Sequence, residues 1–112
     1  MDNSIPLPKG NGQLVYCATP SKLAKKTKKI LNFVSSKGYA PFHPFQGFPY
    51  NLFEGNSQVG RQKAMNYCMR AIKICDEFWI FGLSDGTKQE LEFAKKLNKP
   101  IRIIKLFDKN KK

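Results

Sequence analysis

Apolar runs of strand length alternate with amphipathic helical patterns through short connections, which predicts an α/β domain with a parallel sheet covered on both faces. Three observations carry that expectation. The runs QLVYCA (13–18), EFWIFG (77–82) and IRIIKL (101–106) have the length and β-branched or aromatic content of buried strands. The segments between them carry apolar residues at helical spacing. Proline and glycine punctuate the changeovers. At 112 residues the chain suits one domain with a single hydrophobic core.

The elements follow in order. Residues 1–12, MDNSIPLPKGNG, read as a flexible leader without the charged-then-apolar order of a secretory signal. The first strand spans Gln13–Ala18. Thr19-Pro20 then offers an N-cap with proline at the first helical position. Leu23, Thr27, Ile30, Leu31 and Val34 share one helical face, Lys22, Lys25, Lys26 and Lys29 form a basic stripe, and Gly38 is the stop signal. Tyr39–His43 is a short second strand. Residues 44–57, rich in proline, glycine and aromatics, read as a loop, either functional or a hydrophobic cover over the sheet.

A second amphipathic helix, capped by Ser57, is expected from Val59 to Cys75, with Ala64, Cys68, Ala71, Ile72 and Cys75 facing inward. Glu77–Gly82 is the third strand and LSDG (83–86) a turn. A third helix, Thr87–Leu97, buries Leu91, Ala94 and Leu97, with Asn98 at its C-terminal end and Pro100 blocking continuation. Ile101–Leu106 is the last strand. The simplest layout is about four parallel strands in the order 2-1-3-4, a three-layer flavodoxin-like or Rossmann-like domain over residues 13–107, followed by a basic tail, 108–112. The topological switch then lies between strands 1 and 3, where such sheets bind ligands beyond their carboxyl ends.

Composition narrows the function classes. No apolar run approaches the roughly 20 residues that span a bilayer. Cys17, Cys68 and Cys75 lie in apolar patterns without metal-ligand spacing, and His43 is the only histidine, so free buried thiols in a reducing, cytoplasmic setting are expected and neither a metal nor a cofactor is. The net charge of +12 would concentrate anions near the surface. Nucleic acid is a possible but not favoured partner, because the basic stretches contain few aromatics and no signature of a common binding module.

Three patches carry a family resemblance: LVYCATP (14–20), Cys75-Asp76 opening an apolar strand, and DGTKQELEFAKKLNKPIRII (85–104). Together they resemble the nucleoside 2-deoxyribosyltransferase family and its nucleoside hydrolase-like relatives. The resemblance implies an enzyme that cleaves or transfers at the N-glycosidic bond of a nucleoside or nucleotide, in a homo-oligomer that completes the site. It makes Glu90 the nucleophile on the anomeric carbon, and it implies that Asp76 orients a sugar hydroxyl. A carboxylate beside the sugar can form a glycosyl-enzyme, and a helix N-terminus would favour its ionised form.

Proton delivery to the leaving base then falls to Asp85, Asp76, Tyr16 or His43. Gly86 and Thr87 would contact substrate at the same turn, and Thr19 and Ser21, with Lys22 nearby, could seat a phosphate. Each has a plainer alternative. Thr87 and Glu90 stand three apart and match a capping box, Asp76 can cap a turn, Tyr16 can pack into the core, and His43 can be a satisfied imidazole.

The chain departs from the family pattern at three places. Its acid is Asp85, directly before the glycine, where the family spacing points to Ser84. Glu92 stands where the family has glycine. A lysine-rich end takes the place of the extension that helps to complete a neighbour's site. Two other functions stay open: a nucleotide-binding module without catalysis, and a small basic protein associated with nucleic acid.

Overall fold

The computed structural model describes residues 13–47 and 58–107. Strand β1 is Leu14–Ala18, and a 3-10 helix, Ser21–Lys26, leads into α1, Thr27–Ser36. Next come β2, Ala40–Phe42, the short α2, Pro44–Gly47, and α3, Gln58–Ile74. Strand β3, Glu77–Ile80, helix α4, Asp85–Lys96, and β4, Ile101–Ile103, complete the order. All strand pairs are parallel, in the order β2-β1-β3-β4, as expected from the sequence.

Strand alternation divides the core into two layers. Val15, Cys17, Trp79 and Phe81 pack with Ile30 and Val34 of α1. Tyr16, Ala18, Phe78 and Ile80 pack on the other side with Cys68, Ala71 and Ile72 of α3 and Ala94 of α4. The sheet is therefore the middle of three layers. The three cysteines are buried free thiols, and burial pushes each up to about 12.

Several boundaries differ from the sequence reading for identifiable reasons. Thr19 does not cap the first helix: its hydroxyl donates to the Cys17 carbonyl and also meets His43, so Pro20 takes the N-cap position without a side-chain bond. The helix then starts as a 3-10 segment. Gly82 explains the tight fit at this point, because a Cβ there would lie 2.8 Å from Pro20 Cγ. Strand β3 ends at Ile80, and α4 begins two residues earlier than expected, at Asp85.

The helix ends are satisfied by long-range as well as local groups. Lys99 donates from Nζ to the carbonyls of Lys73 at 2.9 Å and Cys75 at 2.7 Å, which neutralises the carboxyl end of α3. Asn98 adopts φ 59° just past the C-cap Leu97, the left-handed position at which asparagine is tolerated. The leader, residues 48–57 with the expected cap Ser57, and the basic tail lie outside the described residues. Among the described residues no helix is long and apolar enough to cross a membrane.

Candidate functional site

Tyr16 lies in the centre of β1, paired in register with Phe42 on one side and Phe78 on the other. Its ring stacks on both, with centroids 6.0 Å and 5.7 Å away and planes inclined by 18° and 9°. A ring held in this aromatic slot has its orientation fixed by packing. Its hydroxyl donates to Glu90 Oε2 at 2.8 Å, a bond between β1 and α4 across the switch point.

Glu90 does not close a capping box with Thr87. The box is formed by Ser84 and Thr87: the Thr87 amide donates to Ser84 Oγ at 3.2 Å, and the Ser84 amide donates to Thr87 Oγ1 at 2.8 Å. The Thr87 hydroxyl also donates to the Gly82 carbonyl at 2.9 Å. With the helix start shifted to Asp85, Glu90 falls in the second turn and faces the sheet. Only 6% of it is exposed.

That environment reverses the expected electrostatics. Burial is the largest influence and raises the Glu90 carboxyl to about 7, only partly opposed by hydrogen bonds from Tyr16 and Cys68. The helix-dipole argument for a readily ionised carboxylate fails here because desolvation outweighs it. The same pair pushes Tyr16 well above its usual range, first through burial and then through the neighbouring carboxylate. Near neutral pH Glu90 is therefore shared between acid and carboxylate.

A second polar pair sits at the carboxyl ends of β1 and β2. His43, only 2% exposed, accepts the Phe45 amide proton at Nδ1, 3.2 Å away. That assigns the ring proton to Nε2, which lies 3.1 Å from Thr19 Oγ1. Burial lowers His43 to about 4, so the imidazole is neutral at pH 7.

The remaining candidates are spread out. Asp85 and Ser21 are exposed at the starts of their helices, and Gly86 is half-buried beside Asp85. A Cβ at Gly86 would lie 3.8 Å from Met65 Cε, an ordinary contact, so protein packing does not require glycine there. Asp76 precedes β3 at the opposite, amino edge of the sheet, where its Oδ2 accepts the Leu14 amide at 2.7 Å. It does not join Glu90, because a residue before a parallel strand and one after it occupy opposite edges.

The structure thus brings Glu90 together with Tyr16, and His43 with Thr19, while Asp76 stands apart. Sequence reasoning missed Phe42 and Phe78 as the walls of the Tyr16 slot, Cys68 beside Glu90, and Ser84 as the cap. The Ser84-x-x-Thr87 spacing could have revealed the cap. Among the described residues no group of three His, Cys, Asp or Glu side chains could hold a metal ion.

The architecture is similar to that of a 2-deoxyribosyltransferase from the psychrotolerant bacterium Bacillus psychrosaccharolyticus. The TM-score is 0.57 at 24% identity, covering 80% of this chain and 70% of that one, a likeness of fold. No curated protein matches the sequence. A family model matches residues 15–104, nearly all of the α/β unit, and the chain belongs to the family described as Domain of unknown function (DUF7768).

Proposed function

We propose that the protein cleaves or transfers at the N-glycosidic bond of a nucleoside or nucleotide, with Glu90 as nucleophile and Tyr16 holding it. The observation that carries this reading is the buried Tyr16–Glu90 bond at the switch point of the sheet. The fold likeness to a 2-deoxyribosyltransferase supports it. In the reaction, a Glu90 carboxylate oxygen bonds the anomeric carbon as the bond to the base nitrogen breaks. The base takes up a proton as it leaves. A second base nitrogen or a water oxygen then attacks the same carbon and frees the carboxylate.

Tyr16 favours the carboxylate through its hydrogen bond, and the surrounding apolar layer leaves that carboxylate poorly solvated. Exposed Asp85 or solvent is the proposed proton source, because His43 is neutral and its one ring proton is held at Thr19. Asp76, at the far edge, would act only on the fold. The homo-oligomer and the cytoplasmic setting belong to the same proposal.

Incubation with deoxynucleosides, deoxynucleotides and NAD, with and without an acceptor base, tests the reading by chromatography of free base. Wild-type protein should release base, and Glu90→Ala should abolish release. No free base from any of these substrates with folded wild-type protein would sink it.

A second reading, nucleotide binding without turnover, is favoured by the near-complete burial of Glu90 and by the separation of Asp76 from it. It predicts saturable nucleotide binding by calorimetry without base release. Absence of binding at millimolar nucleotide would dismiss it.

A further inference from the structure

A separate cavity of about 300 Å³ opens at the carboxyl ends of β3 and β4. Neither Glu90 nor Tyr16 lines it. Leu23, Leu91, Ile104 and Phe107 form much of its wall, and Lys22 and Lys105 supply its cationic groups. No carboxylate side chain is among its lining residues. Its size falls at the lower end of small-molecule sites, which span roughly 300–1,000 Å³ and are mostly apolar with a few polar groups that set orientation.

Three further observations mark the cavity as more than a packing gap. Leu83 and Ile103, which also line it, are 58% and 69% exposed, so its border offers aliphatic surface to an occupant. The two lysines come from segments more than eighty positions apart in sequence and meet only through the fold. A third cation stands close by, with Lys26 Nζ 5.9 Å from the centre of the Phe107 ring.

We propose that this cavity binds a small aliphatic anion, an acyl or alkyl chain ending in a carboxylate or phosphate. The chain would lie along the leucine and isoleucine wall, and the head would face Lys22 and Lys105. A cationic group beside an apolar wall selects for both features at once: an alcohol of the same length lacks the charge attraction, and inorganic phosphate lacks the buried chain. Neither Glu90 nor Tyr16 lines the site, so its occupancy is measured without base release.

The test is amide NMR titration and calorimetry of the full chain with decanoate and decyl phosphate below their micelle concentrations, beside decan-1-ol and inorganic phosphate. Decanoate or decyl phosphate should saturate and shift the amides of Leu23, Gly82, Leu91 and Ile104; which of them binds more tightly identifies the head group. Decan-1-ol and the double variant Lys22→Gln/Lys105→Gln should each bind on the order of tenfold more weakly, as exposed charge pairs predict. Both lysines are exposed, so the variant should fold, and its amide spectrum reports that directly. No shift with either anion at millimolar concentration, shifts confined to the opposite part of the sheet around Phe42 and Ile74, or equal binding by decan-1-ol or by the folded variant would overturn the proposal.

Discussion

Replacing Glu90 with glutamine should stabilise the protein at alkaline pH and destabilise it slightly at acid pH. The folded protein holds the Glu90 proton up to about pH 7, against an ordinary value of 4.5. As pH rises through that interval the unfolded chain loses its proton first, so ionisation progressively favours unfolding. At about 1.4 kcal/mol for each pH unit, the full effect is about 3 kcal/mol and is complete above pH 7. Glutamine cannot ionise, and its amide oxygen can still accept the Tyr16 hydroxyl. Its amide nitrogen needs a partner in the same buried place, which offsets about 1–2 kcal/mol.

His43 works in the opposite sense. Burial lowers it from 6.5 to about 4, so acidification through that window favours the unfolded chain, which takes up the proton first. In the wild type the two slopes oppose one another between about pH 4.5 and 6.5, and stability should change little. In Glu90→Gln the His43 slope stands alone, and stability should climb with pH. Urea unfolding at pH 4.5, 6 and 8, followed by tryptophan fluorescence, measures both curves. The difference between variant and wild type should move from about 1–2 kcal/mol against the variant at pH 4.5 to about 1–2 kcal/mol in its favour at pH 8. A constant difference across pH, or a variant less stable at pH 8 than at pH 4.5 relative to wild type, would refute the buried-carboxyl account.

Three other outcomes follow from the geometry. Tyr16→Phe removes the hydroxyl that favours ionised Glu90, so side-chain carboxyl NMR should show Glu90 titrating above its wild-type value, with a stability loss of about 1–2 kcal/mol. Gly82→Ala forces a Cβ against Pro20 and should cost about 1–3 kcal/mol, whereas Gly86→Ala meets only ordinary contacts and should leave the melting temperature within a few degrees of wild type. Lys99→Met removes two charge-assisted bonds to carbonyls at the end of α3 and should lower stability by about 1–3 kcal/mol in urea unfolding at pH 7.

Strand order and layer assignment could be read from residue patterns, because both rest on information local to a segment. A buried parallel strand must be apolar along its whole length, as Glu77–Ile80 nearly is, and a helix between two such strands must show one apolar face. The exception, Glu77, satisfies its buried carboxylate with Trp79 Nε1 at 2.9 Å and Arg102 Nε at 3.0 Å, and Arg102 comes from another strand. The stop at Gly38 was equally legible, since its φ of 91° suits a residue without a Cβ.

Local reading failed where a polar side chain had two possible partners. Thr87 could bond Glu90 or Ser84, and Thr19 could cap its own helix or meet His43. Thr87 paired with Ser84 in a local capping box, and tertiary packing brought His43 to Thr19. Apart from the short helix Pro44–Gly47 at the start of the expected loop, the amino acids alone determined which segments are strands and helices, since burial of apolar surface acts on periodicity. Only the three-dimensional structure decided that Glu90 is a desolvated acid aimed at Tyr16, that Asp76 lies at the far edge, and that Lys22 and Lys105 share a cavity. Desolvation and charge depend on neighbours brought from other elements, and no spacing along the chain encodes them.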